Sequence, residues 1–171
     1  DLSVGGVVSI AAVVAGNVMD GSNAAILPAV VVTLFVGAFI GLINGIGVTF
    51  VKIPPLVMTL GMLGVLQGLL VVVRNGVPSG NAAPFVVHVA TKPFLNTFPG
   101  ILWLWLIITL FLVFLLKHTV YGLRIYAIGT NERAAKMTAV PVELIRVSLF
   151  VLSGMFAALA GICLLGYSGS S

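Results

Sequence analysis

Long apolar stretches with almost no charge in them constrain this chain more than any other feature. Segments such as Ile101 to Leu116 run without a charged residue. Lipid offers no partner to a backbone N–H or C=O group, so an apolar run that crosses a bilayer must be helical or part of a closed barrel. Barrel strands alternate apolar and polar residues. These runs do not alternate, so the expected class is all-α, a polytopic helical membrane protein. Composition agrees: 60% of the residues are hydrophobic and 7% are charged, against about 25% charged in ordinary soluble domains.

Five apolar stretches are expected to span, at about Leu2–Val18, Ala24–Val51, Pro54–Val73, Ile101–Leu116 and Val147–Tyr167. A crossing takes roughly 20 helical residues. The second stretch exceeds one straight crossing, so it is expected to be tilted or broken. Pro54-Pro55 suits the first helical turn, where a missing N–H costs nothing. Trp103, Trp105, Tyr121 and Tyr167 lie near span ends, where aromatic rings favour the water–lipid boundary. The chain starts at Asp1 with no basic leader and stops at Ser170-Ser171 just after an apolar run, which reads as a fragment of a longer protein. It is read as one transmembrane domain over 1–171.

Lysine and arginine set the orientation, because positive residues stay on the cytoplasmic side. The connection 117–146 carries Lys117, Arg124, Arg133, Lys136 and Arg146, whereas 74–100 carries only Arg74 and Lys92. Placing 117–146 in the cytosol puts 74–100 outside, Lys52 inside and Asp20 outside, which alternates correctly through five spans. The net charge of +4 then belongs to a membrane edge facing anionic lipid, and no nucleic-acid partner is expected.

Glycine and intramembrane polar residues leave two readings open. Gly37, Gly41 and Gly45 share a helical face, as do Gly64 and Gly68. Small residues at this spacing let helices approach closely, either within the bundle or at a subunit contact or gate. Asn44, Thr59 and Gln67 sit in or beside apolar stretches, as packing hydrogen bonds or as contacts along a substrate pathway. No Asp, Glu, Lys or Arg is expected at a span centre, which argues against a proton-coupled carrier. Two distant histidines and Cys163 make no metal site, and Cys163 reads as a small buried apolar side chain.

The connection reads TVYGLRIYAIGTNERAAKMTAVPVELIR from Thr119 to Arg146. Gly129-Thr130-Asn131 is expected to form a turn and cap, with Thr130 or Asn131 accepting from the first free N–H groups of a helix. Glu132 near the positive end and Lys136 near the negative end both suit the helix dipole. The residue before Pro141 avoids helical geometry. A short surface helix over Glu132–Thr138 follows, then a new helix opened by Pro141 with Glu143 in its first turn. So short a helix cannot hold itself by propensity, so it needs something to dock against.

Tyr121 to Ile162, YGLRIYAIGTNERAAKMTAVPVELIRVSLFVLSGMFAALAGI, resembles the permease subunits of bacterial ABC importers, in the group serving ribose, xylose and galactose. Branched-chain amino-acid permeases are more distant relatives. DLSVGG at Asp1–Gly6, GLING at Gly41–Gly45 and KIPPLVMTLGML at Lys52–Leu63 match the same family in the same order. Thr138-Ala139 departs from it, standing where the family often has a glycine-containing pair.

The resemblance implies a bacterial inner-membrane subunit importing a small polar solute, a pentose or hexose, by alternating access. It implies cytoplasmic ATP-binding subunits, a second permease subunit and a periplasmic solute-binding protein facing 74–100. Gly129, Asn131, Glu132, Arg133, Ala134, Ala135 and Lys136 would then form the coupling segment that docks on the ATPase. The chain lacks the G-x-x-x-x-G-K-[ST] phosphate loop, so it is read as a non-catalytic subunit with no cofactor of its own. Two rivals stand beside this reading. One is a secondary, ion-coupled carrier. The other is an intramembrane serine hydrolase built on Gly166-Tyr167-Ser168-Gly169, which would need a histidine base; His118 falls on the wrong side, and His88 in an outer loop outside any helix.

Overall fold

The computed structural model describes residues 1–74, 80–94 and 98–169. Parts of the expected outer connection, 75–79 and 95–97, and the terminal Ser170-Ser171 lie outside the described residues. Eight α-helices occur among the described residues: α1 Val4–Met19, α2 Ile26–Thr49, α3 Pro55–Arg74, α4 Pro84–Thr91, α5 Gly100–His118, α6 Val120–Thr130, α7 Glu132–Met137 and α8 Val142–Ser168. A 3₁₀ turn, Asn23–Ala25, leads into α2, and a two-residue ladder pairs β1 Pro93–Phe94 with β2 Phe98–Pro99.

Four helices are long and apolar enough to cross a membrane: α2 with its 3₁₀ lead-in, α3, α5 and α8. The first expected span is the shorter α1, whose 16 residues measure about 24 Å at 1.5 Å per residue. The second is one continuous helix rather than a broken one. Two helices were not expected at all. α4 begins with Pro84 at its first turn, where proline's missing N–H is harmless. α6 is capped by Thr119, whose hydroxyl accepts from the Gly122 N–H at 3.2 Å.

The core is a three-helix packing of α1, α2 and α8, with α8 at its centre. Glycine makes the α2–α8 approach possible. A Cβ on Gly41 would strike the Phe150 carbonyl, one on Gly37 the Gly154 carbonyl, and one on Gly45 would lie 3.0 Å from the Val147 Cα. Numbers rise on α2 as they fall on α8, so the two helices run antiparallel. Gly161 does the same for α1, lying against the Val8 carbonyl and Ala11. Such contact replaces the hydrophobic effect as the attraction between helices in lipid. The Gly64–Gly68 pair on α3 is different: a side chain at either would meet nothing within 4 Å.

The two ends of the bundle are distinct. At one end the Gly21 N–H donates to the Asn81 carbonyl at 3.0 Å, the Ala82 N–H to the Gly169 carbonyl at 3.1 Å, and the Phe85 N–H to Asn23 Oδ1 at 3.0 Å. Asp20 and Gly21, with φ of 38° and 72°, turn the chain from α1 toward α2 in the left-handed conformation common after helix ends. At the other end Lys52 shares a cavity with Glu132, Lys136 and Arg146. Asp20 and 80–91 therefore lie together, opposite Lys52 and 117–146, as the charge count requires.

The short α1 starts partway along α8, where the Ser153 hydroxyl donates to Asp1 Oδ2 at 3.4 Å.

Candidate functional site at the α6–α7–α8 end

The segment joining α5 to α8 folds into two helices and a tight corner. Gly129 and Thr130 do not form the expected turn; they complete α6, and Asn131 alone separates the helices. Asn131 ends α6 through its N–H to the Ala127 carbonyl at 3.1 Å, and starts α7 by accepting from the Ala134 N–H at 3.1 Å. The reason is steric: its extended backbone, φ −158°, suffices to redirect the chain, so no longer turn is needed.

α7 covers Glu132–Met137, within one residue of the expected helix. The Val140 N–H returns to the Ala135 carbonyl at 3.2 Å and the Ala139 N–H to the Lys136 carbonyl at 3.3 Å. This pair of hydrogen bonds is the Schellman closure, whose C′ residue takes left-handed geometry. Here that residue is Ala139, at φ 56°. A glycine would adopt it without the cost of about 1 kcal/mol that a Cβ brings. The closure thus explains why a glycine suits this corner; nothing in the structure explains the Thr138-Ala139 that stands there.

Charges tie α7 to the start of α8. Lys136 Nζ lies 3.3 Å from Glu132 Oε1 and 2.9 Å from Glu143 Oε1, and Arg146 Nη2 donates to Glu132 Oε2 at 2.7 Å. The hydrogen bond from Lys136, together with the nearby Arg146 charge, holds the Glu132 carboxyl below its ordinary range. Hydrogen bonds to Glu143 and Glu132 push the Lys136 ammonium up. Each pair is solvent-exposed and individually weak, but four charges share one network and fix α7 in orientation. Across from it stands the α2–α3 elbow, where Lys52 has φ 63°. Between them is a cavity of about 700 Å³ lined by Lys52, Pro54, Glu132, Lys136, Glu143 and Arg146.

The expected coupling residues divide into two faces. Ala135 is buried against its own chain, while Asn131, Arg133 and Ala134 are exposed. Glu132 and Lys136 serve the ion network. Gly129 is exposed on α6 with open space around it. Sequence reasoning missed Met137, which is 89% exposed. It also missed the network partners Glu143 and Arg146. The exposure of Met137 is set by the fold and carried no signal in the sequence.

The expected pathway residues do not come together. Asn44 is wholly buried and donates to Ser3 Oγ at 2.9 Å. Thr59 is buried and donates to the Pro55 carbonyl at 2.9 Å, within its own helix. Gln67 is exposed on α3, beside the open Gly64 and Gly68. His88 does lie in a helix, the last turn of α4, because Pro84 initiates one where the sequence was read as a loop. The Ser168 hydroxyl donates to the Leu164 carbonyl at 3.0 Å. Among the described residues no three His, Cys, Asp or Glu side chains converge as metal ligands would.

Residues 1–171 match the family described as the branched-chain amino acid transport system / permease component. The chain is 36% identical over 163 residues to the "Autoinducer 2 import system permease protein LsrC" of Escherichia coli O9:H4 (strain HS), covering 95% of this chain and 47% of that protein. The protein of the same name from Shigella flexneri is also 36% identical, with the same coverage. The one from Yersinia pseudotuberculosis serotype O:3 (strain YPIII) is 33% identical over 162 residues, 95% of this chain and 46% of that one. The chain thus spans about half the length of the curated relatives it matches. No solved structure matches it significantly. With four membrane-length helices and a match over its whole length, the chain is a multi-pass membrane protein and belongs to the branched-chain amino acid transport system / permease component family.

Proposed function

We propose that this chain is part of the translocation subunit of an ATP-driven importer for a small polar solute, and that α7 is the element a separate ATPase grips. The observation that carries the reading is the build of α7. Its outward face offers Arg133, Ala134 and Met137, while its inward side is tied to α8 by the Glu132–Lys136–Glu143–Arg146 network. A push on the outer face passes through that network as a rigid displacement of α8, the hub of the packed core. Rigid-body motion of packed elements is how such changes travel.

The partners on this reading are cytoplasmic ATP-binding subunits, a second permease subunit and an external solute-binding protein. The relatives carry import-system permease names, which supports the assignment. The solute is a pentose or hexose, with the relatives' autoinducer-2 as the competing candidate. Gln67 is the one pathway candidate that stays open to a solute; Asn44 and Thr59 serve packing.

The test is uptake of radiolabelled D-ribose, D-xylose, D-galactose and autoinducer-2 into proteoliposomes holding the full-length permease, its ATPase and its binding protein. Uptake of one of them should require ATP and survive ionophores that collapse ion gradients. Uptake driven by an ion gradient without ATPase would establish the secondary carrier instead.

A further inference from the structure

We propose that the cavity between the α2–α3 elbow and the α7–α8 corner holds the headgroup of an anionic membrane lipid, with Lys52 and Arg146 gripping its phosphodiester. The site depends on the cytosolic placement of α7. It does not depend on which solute is imported or on what drives import.

Lys52 is the charge that the ion network leaves over. The cavity, of about 700 Å³, is lined by three cations, Lys52, Lys136 and Arg146, and by two carboxylates, Glu132 and Glu143. Lys136 pairs with both carboxylates and Arg146 with Glu132, so those four side chains are neutral in sum. Lys52 pairs with no carboxylate among the described residues. Three cations against two carboxylates leave one surplus positive charge. A phosphodiester carries a single negative one.

The backbone under Lys52 is itself uncommon. Its φ of 63° lies in the left-handed region, which a side chain disfavours and glycine tolerates. The Ile53 N–H donates to the Gly47 carbonyl at 3.1 Å, so the end of α2 fixes that geometry. Strain held at a cavity wall points to function. The elbow keeps an ammonium where glycine would turn the chain more easily.

Arg146 stands on the opposite wall with donors to spare. A guanidinium carries five N–H groups. Among the described residues Arg146 gives one hydrogen bond, from Nη2 to Glu132. Its planar fork suits two phosphate oxygens at once.

Beyond the charged rim the lining turns apolar. Val48, Ile53 and Phe150 belong to the same cavity. Phe150 lies about 6 Å along α8 from Arg146, at helical rise, on the way to the packed core. Charge at the membrane edge above apolar surface is the layering of a phospholipid's headgroup and the start of its chains. Basic pockets between helices on the cytoplasmic side recognise anionic headgroups in this way. Inorganic phosphate or a nucleotide brings more negative charge than the surplus and no apolar part. A neutral solute leaves the surplus charge unmet.

The test is native mass spectrometry of the purified full-length permease, delipidated in detergent and titrated with dioleoyl phosphatidylglycerol or dioleoyl phosphatidylcholine. The two share their chains and a phosphodiester and differ in net charge. Phosphatidylglycerol should fill one saturable site at least fivefold more tightly than phosphatidylcholine, and millimolar inorganic phosphate should not displace it. Lys52→Gly removes the charge and relieves the left-handed strain. It should weaken phosphatidylglycerol binding at least fivefold while resisting sodium dodecyl sulfate as well as the parent does. Lys52→Gln should bind as weakly, and Lys52→Arg and the outer-connection variant Lys92→Gln as tightly as the parent. Equal affinity for the two lipids, phosphatidylglycerol binding indifferent to Lys52→Gly and Lys52→Gln, an equal loss from Lys92→Gln, or displacement by inorganic phosphate would each overturn the lipid site. None of these readings involves uptake or ATP, so the importer reading stands or falls separately.

Discussion

Arg133→Glu with Met137→Glu strips the ATPase from the membrane while the permease itself remains folded and inserted. Both substitutions fall on the outward face of α7, where Met137 is 89% exposed. Neither removes a member of the Glu132–Lys136–Glu143–Arg146 network. A carboxylate forced into a desolvated contact without a partner costs about 3–5 kcal/mol. Association of the ATPase with permease-containing membranes, measured by co-purification, is expected to fall at least 100-fold, about 2.7 kcal/mol. The substitution Ala135→Asp would be a poor probe of the same contact. Ala135 is 4% exposed, so a charge there disrupts the packing of α7 on its own chain.

Gly41→Leu dismantles the α2–α8 core. The new Cβ would meet the carbonyl and carbon of Phe150 and the Cα of Val151. These are backbone atoms and cannot rotate away, so the helices must separate. Overpacking of a close-packed interior costs typically 1–3 kcal/mol, and here the whole glycine seam from Gly37 to Gly45 opens with it. Gly41→Ala already brings the offending Cβ and should show most of the loss. Unfolding of the purified full-length permease in graded sodium dodecyl sulfate should shift by about 2 kcal/mol or more for Gly41→Ala, and Gly41→Leu should fail to purify as a monodisperse species.

Those two results depend on features that were unequally legible in the sequence. The spans were legible because lipid leaves the backbone one solution and length does the rest. The α7 boundaries were legible because Asn131, Glu132 and Pro141 act locally, through capping, dipole and φ restriction. The fate of the glycine motifs was not. Gly37-Gly41-Gly45 and Gly64-Gly68 share the same spacing, yet one seam is packed and the other open; only the fold decides which face meets a neighbour. Lys136 reaching Glu143 across a chain reversal is likewise tertiary. α4 was missed because 74–100 was read only as an outer loop, whereas Pro84 initiates a helix within it.

The central claim is that α7 faces the cytosol and is held there by a separate motor. The full-length permease carrying Cys163→Ala and Met137→Cys tests it, treated with a membrane-impermeant maleimide. The account predicts no labelling from outside intact cells, full labelling in inverted vesicles stripped of ATPase, and at least tenfold slower labelling once the ATPase is restored. Labelling from the outside, or labelling in inverted vesicles that the ATPase leaves unslowed, would contradict it.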